Sequence, residues 1–121
     1  MSKVILVVED DHDIREAISE FLADSGFTIR SAENGLTALE TLRSGFRPDL
    51  ILLDLMMPVM DGFAFREEQL ADPQLSAIPV VVMSADGNIS QSQLKVQAVD
   101  YLKKPLDIYH LVASLNKQLE K

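Results

Sequence analysis

Leu50-Ile51-Leu52-Leu53-Asp54, followed by Leu55-Met56-Met57-Pro58 and then Asp61-Gly62, is the stretch whose reading decides the fold. An unbroken apolar run of this kind suits a strand buried on both faces. It ends in a carboxylate and breaks into Pro/Gly turn chemistry, so Asp54 is held at the rim of a sheet. Val4-Ile5-Leu6-Val7-Val8 repeats the pattern and runs into Glu9-Asp10-Asp11. Adjacent strands lie about 4.8 Å apart, so if these two are neighbours their terminal carboxylates converge. Like charges at that range raise each other's pKa unless a cation intervenes.

The rest of the chain alternates short apolar runs with helical patterns. Asp13 can cap a first helix, with Glu16 completing a capping box and Ile14, Ala17, Ile18, Phe21 and Leu22 forming its apolar face. Gly26 stops it, and residues 27–31 read as a second strand. Asn34 can cap a second helix carrying Leu36, Leu39 and Leu42, which Gly45 ends. Asp61-Gly62 opens a third helix with Phe63, Ala64 and Leu70, and residues 78–83 read as a fourth strand. Residues 87–99 suggest a marginal fourth helix, because Ile89, Leu94 and Val96 are poorly spaced. Tyr101-Leu102 forms a short fifth strand, and Ile108, Leu111, Val112, Leu115 and Leu119 mark a fifth helix. Such alternation implies a parallel sheet with right-handed crossovers. The expected fold is a doubly wound five-stranded α/β domain over residues 1–121, flavodoxin-like with strand order 2-1-3-4-5 and five helices on both faces.

A formal net charge of −8 argues against nucleic-acid or anionic-membrane binding, and Lys103-Lys104 is the only adjacent basic pair. With no cysteine, disulfides and thiolate metal sites are excluded. No apolar run approaches a bilayer's thickness and no signal peptide is visible, so a cytoplasmic protein is expected.

In doubly wound folds the working site lies at the carboxyl ends of the strands, where strand order reverses. The residues there are Glu9-Asp10-Asp11, Asp54, Ser84-Ala85-Asp86 and Lys103-Lys104-Pro105. Hard oxygen ligands favour Mg²⁺. An ionised carboxylate needs no base to act as a nucleophile towards phosphorus. A metal and a lysine would screen the repulsion between two anions, and a serine hydroxyl can donate to a phosphoryl oxygen. His12 and His110 lack ligand spacing and read as surface residues; Met56, Met57 and Met60 read as loop packing.

Taken in order, Val7-Val8-Glu9-Asp10, Asp54-Leu55-Met56-Met57-Pro58 with Asp61-Gly62, Ser84-Ala85, and Tyr101 with Lys104-Pro105 resemble the receiver domain of two-component response regulators over essentially the whole length. The resemblance implies that Asp54 accepts a phosphoryl group from a histidine kinase or histidine phosphotransfer protein. It implies that Glu9, Asp10, Asp54 and the backbone carbonyl of Met56 hold Mg²⁺. Lys104 would pair with Asp54 and then with the phosphoryl group. Ser84 and Tyr101 would turn inward, remodelling the face of the fourth helix, fifth strand and fifth helix. The expected partners are the phosphodonor and a downstream target or output domain, with a monomer or a phosphorylation-dependent homodimer. The domain would catalyse only its own phosphorylation and dephosphorylation. Lys104-Pro105 is a candidate cis bond in this family. Departures are Ser84 in place of the common threonine, Gln97-Ala98 before the fifth strand, and Asp86-Gly87-Asn88 after the switch serine. Two other readings compete. A haloacid-dehalogenase-like phosphatase would want an aspartate where Met56 stands. A flavodoxin-like flavin module would want Ser/Thr/Gly where Glu9-Asp10-Asp11 stands.

Overall fold

A computed structural model describes residues 2–85 and 96–120. The strands are β1 (Val4–Val8), β2 (Thr28–Ala32), β3 (Leu50–Asp54), β4 (Val80–Ser84) and β5 (Asp100–Lys103). They form one sheet in the order β2-β1-β3-β4-β5, with every pairing parallel. Four helices occur among the described residues: α1 (His12–Asp24), α2 (Gly35–Arg43), α3 (Gly62–Ala71) and α4 (Ile108–Leu119). Five were expected. The marginal fourth helix of the sequence reading falls largely on residues 86–95, outside the described residues, so α4 here is the fifth of that expectation.

Alternation along the buried strands splits the core into two layers, because successive side chains point to opposite faces. Leu6, Val8, Ile51 and Leu53 pack on one face with Ala38, Leu39, Leu42 and Phe65 of α2 and α3. Ile5, Val7, Leu50 and Leu52 pack on the other with Ile18 and Leu22 of α1 and Leu111 and Leu115 of α4. The unbroken apolar spelling of β1 and β3 follows from this two-sided burial.

Several local assignments change. Asp11, not Asp13, is the N-cap of α1: its side chain accepts from the Ile14 amide, and Asp13 lies in the first turn. An acid suits either position, so spacing alone placed the start two residues late. Asn34 caps α2 as expected, accepting from Thr37, and Asp61 caps α3, accepting from Ala64. Gly26 and Gly45 take the left-handed conformation after α1 and α2, with φ of 101° and 110°. The third helix forms as expected, and Phe63 packs against the core, but most of its buried face lies elsewhere. Ala64 and Leu70 are exposed, whereas Phe65, Arg66 and Gln69 are buried. An apolar-residue search cannot find a buried face that carries a guanidinium and an amide.

Candidate functional site

Strand order reverses between β1 and β3, which opens a crevice at their carboxyl ends. Val8 lies beside Leu53 in the register, so the chain delivers Glu9 and Asp54 to the same rim. Both are buried, at 0% and 3% exposure, while Asp10 faces solvent. Carboxylate oxygens of Glu9, Asp10 and Asp54 all lie within 4.8 Å of one another.

Lys104 closes the cluster. Its amide donates to the Ser84 carbonyl at 2.9 Å, which ties the end of β5 to the end of β4. Its Nζ stands 2.5 Å from Glu9 Oε1 and 3.3 Å from Asp54 Oδ2. Asp54 Oδ1 accepts from the Met56 amide at 3.3 Å. Among the described residues one ammonium therefore stands against a cluster of three carboxylates, which leaves the cluster net negative. Burial raises the pKa of Glu9, and the neighbouring Asp54 carboxylate raises it further; Lys104 offsets only part of this. Burial alone would lower the Lys104 pKa, but the bond to Glu9 and the charges of Asp54 and Glu9 outweigh it and hold the ammonium protonated.

Glu9 Oε2 is buried and has no hydrogen-bond partner among the described residues. A buried carboxylate oxygen normally has one. A hard divalent cation would supply that missing partner and offset the net negative charge, so the residues present fit Mg²⁺.

The structure also brings in groups that sequence reasoning passed over. Arg15 Nη1 donates to the carbonyls of Glu9 (2.8 Å) and Asp10 (3.4 Å), pinning the acidic loop to α1. Gly62 is part of the floor beneath the site: a Cβ there would stand 2.6 Å from the Asp54 carbonyl oxygen and 2.7 Å from Leu55 Cα. Its amide donates to the Leu55 carbonyl at 2.9 Å, so the start of α3 presses against the residues that present Asp54. The Asp-Gly pair signalled a turn; the close approach needed three dimensions.

Of the remaining expected residues, Ser84 is buried at the end of β4. Tyr101 is half-buried, and its hydroxyl accepts the Ala98 amide at 2.7 Å. The Met56 side chain is exposed, whereas Met57 is buried. The Lys104-Pro105 bond is cis. His12 and His110 are on the surface.

The fold and this rim define a flavodoxin-like domain with an acid–lysine cluster at its switch-point crevice. The chain belongs to the response regulator receiver domain family, whose model matches residues 5–116. It is 35% identical to the response regulator MprA of Mycobacterium ulcerans, over 100% of this chain and 52% of that protein. Among solved structures it resembles the signal receiver domain of a signal transduction histidine kinase from Syntrophus aciditrophicus, with a TM-score of 0.90, 31% identity, and coverage of 98% of this chain and 91% of that one. It also resembles the chemotaxis response regulator CheY4 of Vibrio cholerae, with a TM-score of 0.89, 29% identity, and coverage of 98% and 100%. The chain spans about half the length of the curated relatives it matches first. Among the described residues no helix is long and apolar enough to cross a membrane.

Proposed function

We propose that this domain is a phosphorylation-controlled switch whose acceptor is Asp54, and that residues 1–121 act as one receiver unit in the cytoplasm. The observation that carries the reading is the Lys104 ammonium lying between Glu9 and Asp54, at 2.5 and 3.3 Å, with a third carboxylate beside them.

In the transfer, an Asp54 carboxylate oxygen forms a bond to phosphorus. The P–N bond to the donor histidine breaks, and the imidazole nitrogen keeps the electron pair. A carboxylate attacking phosphorus needs no general base. Lys104 holds the Asp54 carboxylate before the reaction and faces the added phosphoryl oxygens after it. The Met56 amide, bonded to Asp54 Oδ1, fixes the rotation of the carboxylate. Glu9, Asp10, Asp54 and the Met56 carbonyl would hold Mg²⁺, which when bound neutralises charge on the transferred group. Water attacking phosphorus later returns free phosphate and the Asp54 carboxylate.

Ser84, at the neighbouring strand end, donates its hydroxyl to a phosphoryl oxygen. Tyr101 responds by leaving the Ala98 amide and turning inward, which changes the face of β5, α4 and the segment before β5. The donor is a histidine kinase or histidine phosphotransfer protein. An apolar groove lined by Ile14, Ile18, Phe21, Pro105, Leu106 and Lys104 opens beside the site and suits the donor's apolar side chains. The output is a downstream protein or a linked output domain, with no direct nucleic-acid contact by this acidic domain, and phosphorylation shifts a monomer towards a homodimer if the output requires one.

Acetyl phosphate with Mg²⁺ should add one phosphoryl group per chain, and chelating the metal should stop it. Undiminished labelling without divalent metal would sink the metal's role, and no labelling under any condition would sink the switch.

A further inference from the structure

The buried face of α3 carries a group that the phosphoacceptor site does not use. Arg66 is 7% exposed, yet among the described residues no carboxylate lies within ion-pairing distance of its guanidinium. Three neutral acceptors receive it instead. Nε donates to the Val96 carbonyl at 2.9 Å, Nη2 to the Gln97 carbonyl at 3.0 Å, and Nη1 to Gln69 Oε1 at 2.8 Å. Gln69 is itself anchored, its Nε2 donating to the carbonyls of Leu75 (2.9 Å) and Ile78 (3.0 Å). Burial disfavours the charge and lowers the Arg66 pKa. A leucine would fill the space without that cost, so the planar fork of donors is what distinguishes arginine at this place.

The fork grips an unusual piece of backbone. Gln97 has a φ of 54°, in the left-handed region that a side chain of its kind seldom adopts. Arg66 holds the carbonyls of Gln97 and of the residue before it. The next residue, Ala98, gives its amide to the Tyr101 hydroxyl at 2.7 Å, and the Val99 amide bonds the Val80 carbonyl at 2.9 Å. The chain of contacts runs from Gln69 through Arg66 to residues 96 and 97, then through Ala98 to the tip of Tyr101.

We propose that Arg66 is a positioning residue: by clamping the carbonyls of Val96 and Gln97 it places the Ala98 amide that holds Tyr101 in its resting position. The consequence for signalling rests on the switch role given to Tyr101 above. A ligand or modification moves a two-state element only against the free-energy difference between its states. Weakening the clamp therefore shifts Tyr101 towards its phosphorylated position before any phosphate arrives.

The test uses the full chain, without phosphodonor, and reads amide hydrogen exchange by NMR in the wild type, Arg66→Met, Tyr101→Phe and the double variant. Ala98 protection should fall at least tenfold in Arg66→Met and in Tyr101→Phe. The double variant should fall no further than the lower of the two singles, while Leu6 and Leu52 in the sheet keep wild-type protection. Arg66→Lys keeps the charge without the fork and should match Arg66→Met; it also serves as the test should the methionine variant not fold. Wild-type Ala98 protection in Arg66→Lys, or a fall shared equally by Leu6 and Leu52, would overturn the proposal. A second arm adds acetyl phosphate and Mg²⁺. The Ala98 resonance of unphosphorylated Arg66→Met should lie between those of the unphosphorylated and phosphorylated wild type, and a shift in the opposite direction would overturn the coupling. Failure of the wild type to take a phosphoryl group would sink the switch reading and leave the exchange result on the clamp standing.

Discussion

Lys104→Met removes the ammonium that faces Glu9 and Asp54. At an effective dielectric constant of about 20, a charge pair at 2.5 Å is worth roughly 7 kcal/mol and one at 3.3 Å roughly 5 kcal/mol, before desolvation is counted. Taking the ammonium out of water offsets most of that sum. What survives is the cost of stranding buried carboxylates, about 3–5 kcal/mol when one partner of a buried pair is removed. For a domain of 121 residues this is a fall in Tm of roughly 10–20 °C. The loss should depend on pH in a definite direction. Glu9 already has a raised pKa, and the substitution removes a group that lowers it. The folded variant then binds a proton more tightly than the unfolded chain, so the penalty is largest at neutral pH and shrinks as pH falls through the raised Glu9 value. Mg²⁺ should shrink it too, by replacing the lost positive charge. Urea unfolding of both proteins at pH 7.5 and pH 5, with and without Mg²⁺, reads all of this. A loss of under 1 kcal/mol, or one indifferent to both pH and metal, would refute the electrostatic account.

Gly62→Ala forces a Cβ to within 2.6 Å of the Asp54 carbonyl oxygen, a backbone atom that cannot swing aside. We expect about 2 kcal/mol of destabilisation by urea titration and slower acetyl phosphate labelling, because the displaced backbone carries Asp54. Mg²⁺ affinity, measured by calorimetry across the acid range, should rise with pH, because burial makes Glu9 hold its proton more tightly than a free carboxylate does; a flat profile would remove Glu9 from the ligand set. Leu52→Ala, at a fully buried position of the central strand, should cost about 3 kcal/mol without abolishing labelling of the folded fraction.

Much of the fold was legible because two-sided burial writes itself as apolar runs: β1 and β3 ran as read, with Asp54 added to the end of β3. The strand-end rule then located Glu9, Asp10, Asp54, Ser84 and Lys104 at one edge, because parallel strands all deliver their carboxyl ends to the same side. Helix ends were less legible, since Asp11 and Asp13 are equally good caps on paper. The polar part of the buried α3 face escaped, because Arg66 and Gln69 count as surface residues in any pattern search and only tertiary hydrogen bonds reveal them as interior. Arg15 and Gly62 escaped for a related reason. Their parts lie in contacts with the backbone of other segments, which side-chain periodicity does not encode.

An acyl phosphate is reduced by borohydride to an alcohol, which marks the bearing aspartate by mass. Treating the phosphorylated protein this way and mapping the peptides should find the mark on Asp54 and nowhere else. A mark on Asp10 or Asp11 with Asp54 untouched would contradict the assignment of the buried strand-end carboxylate as the group that receives phosphate.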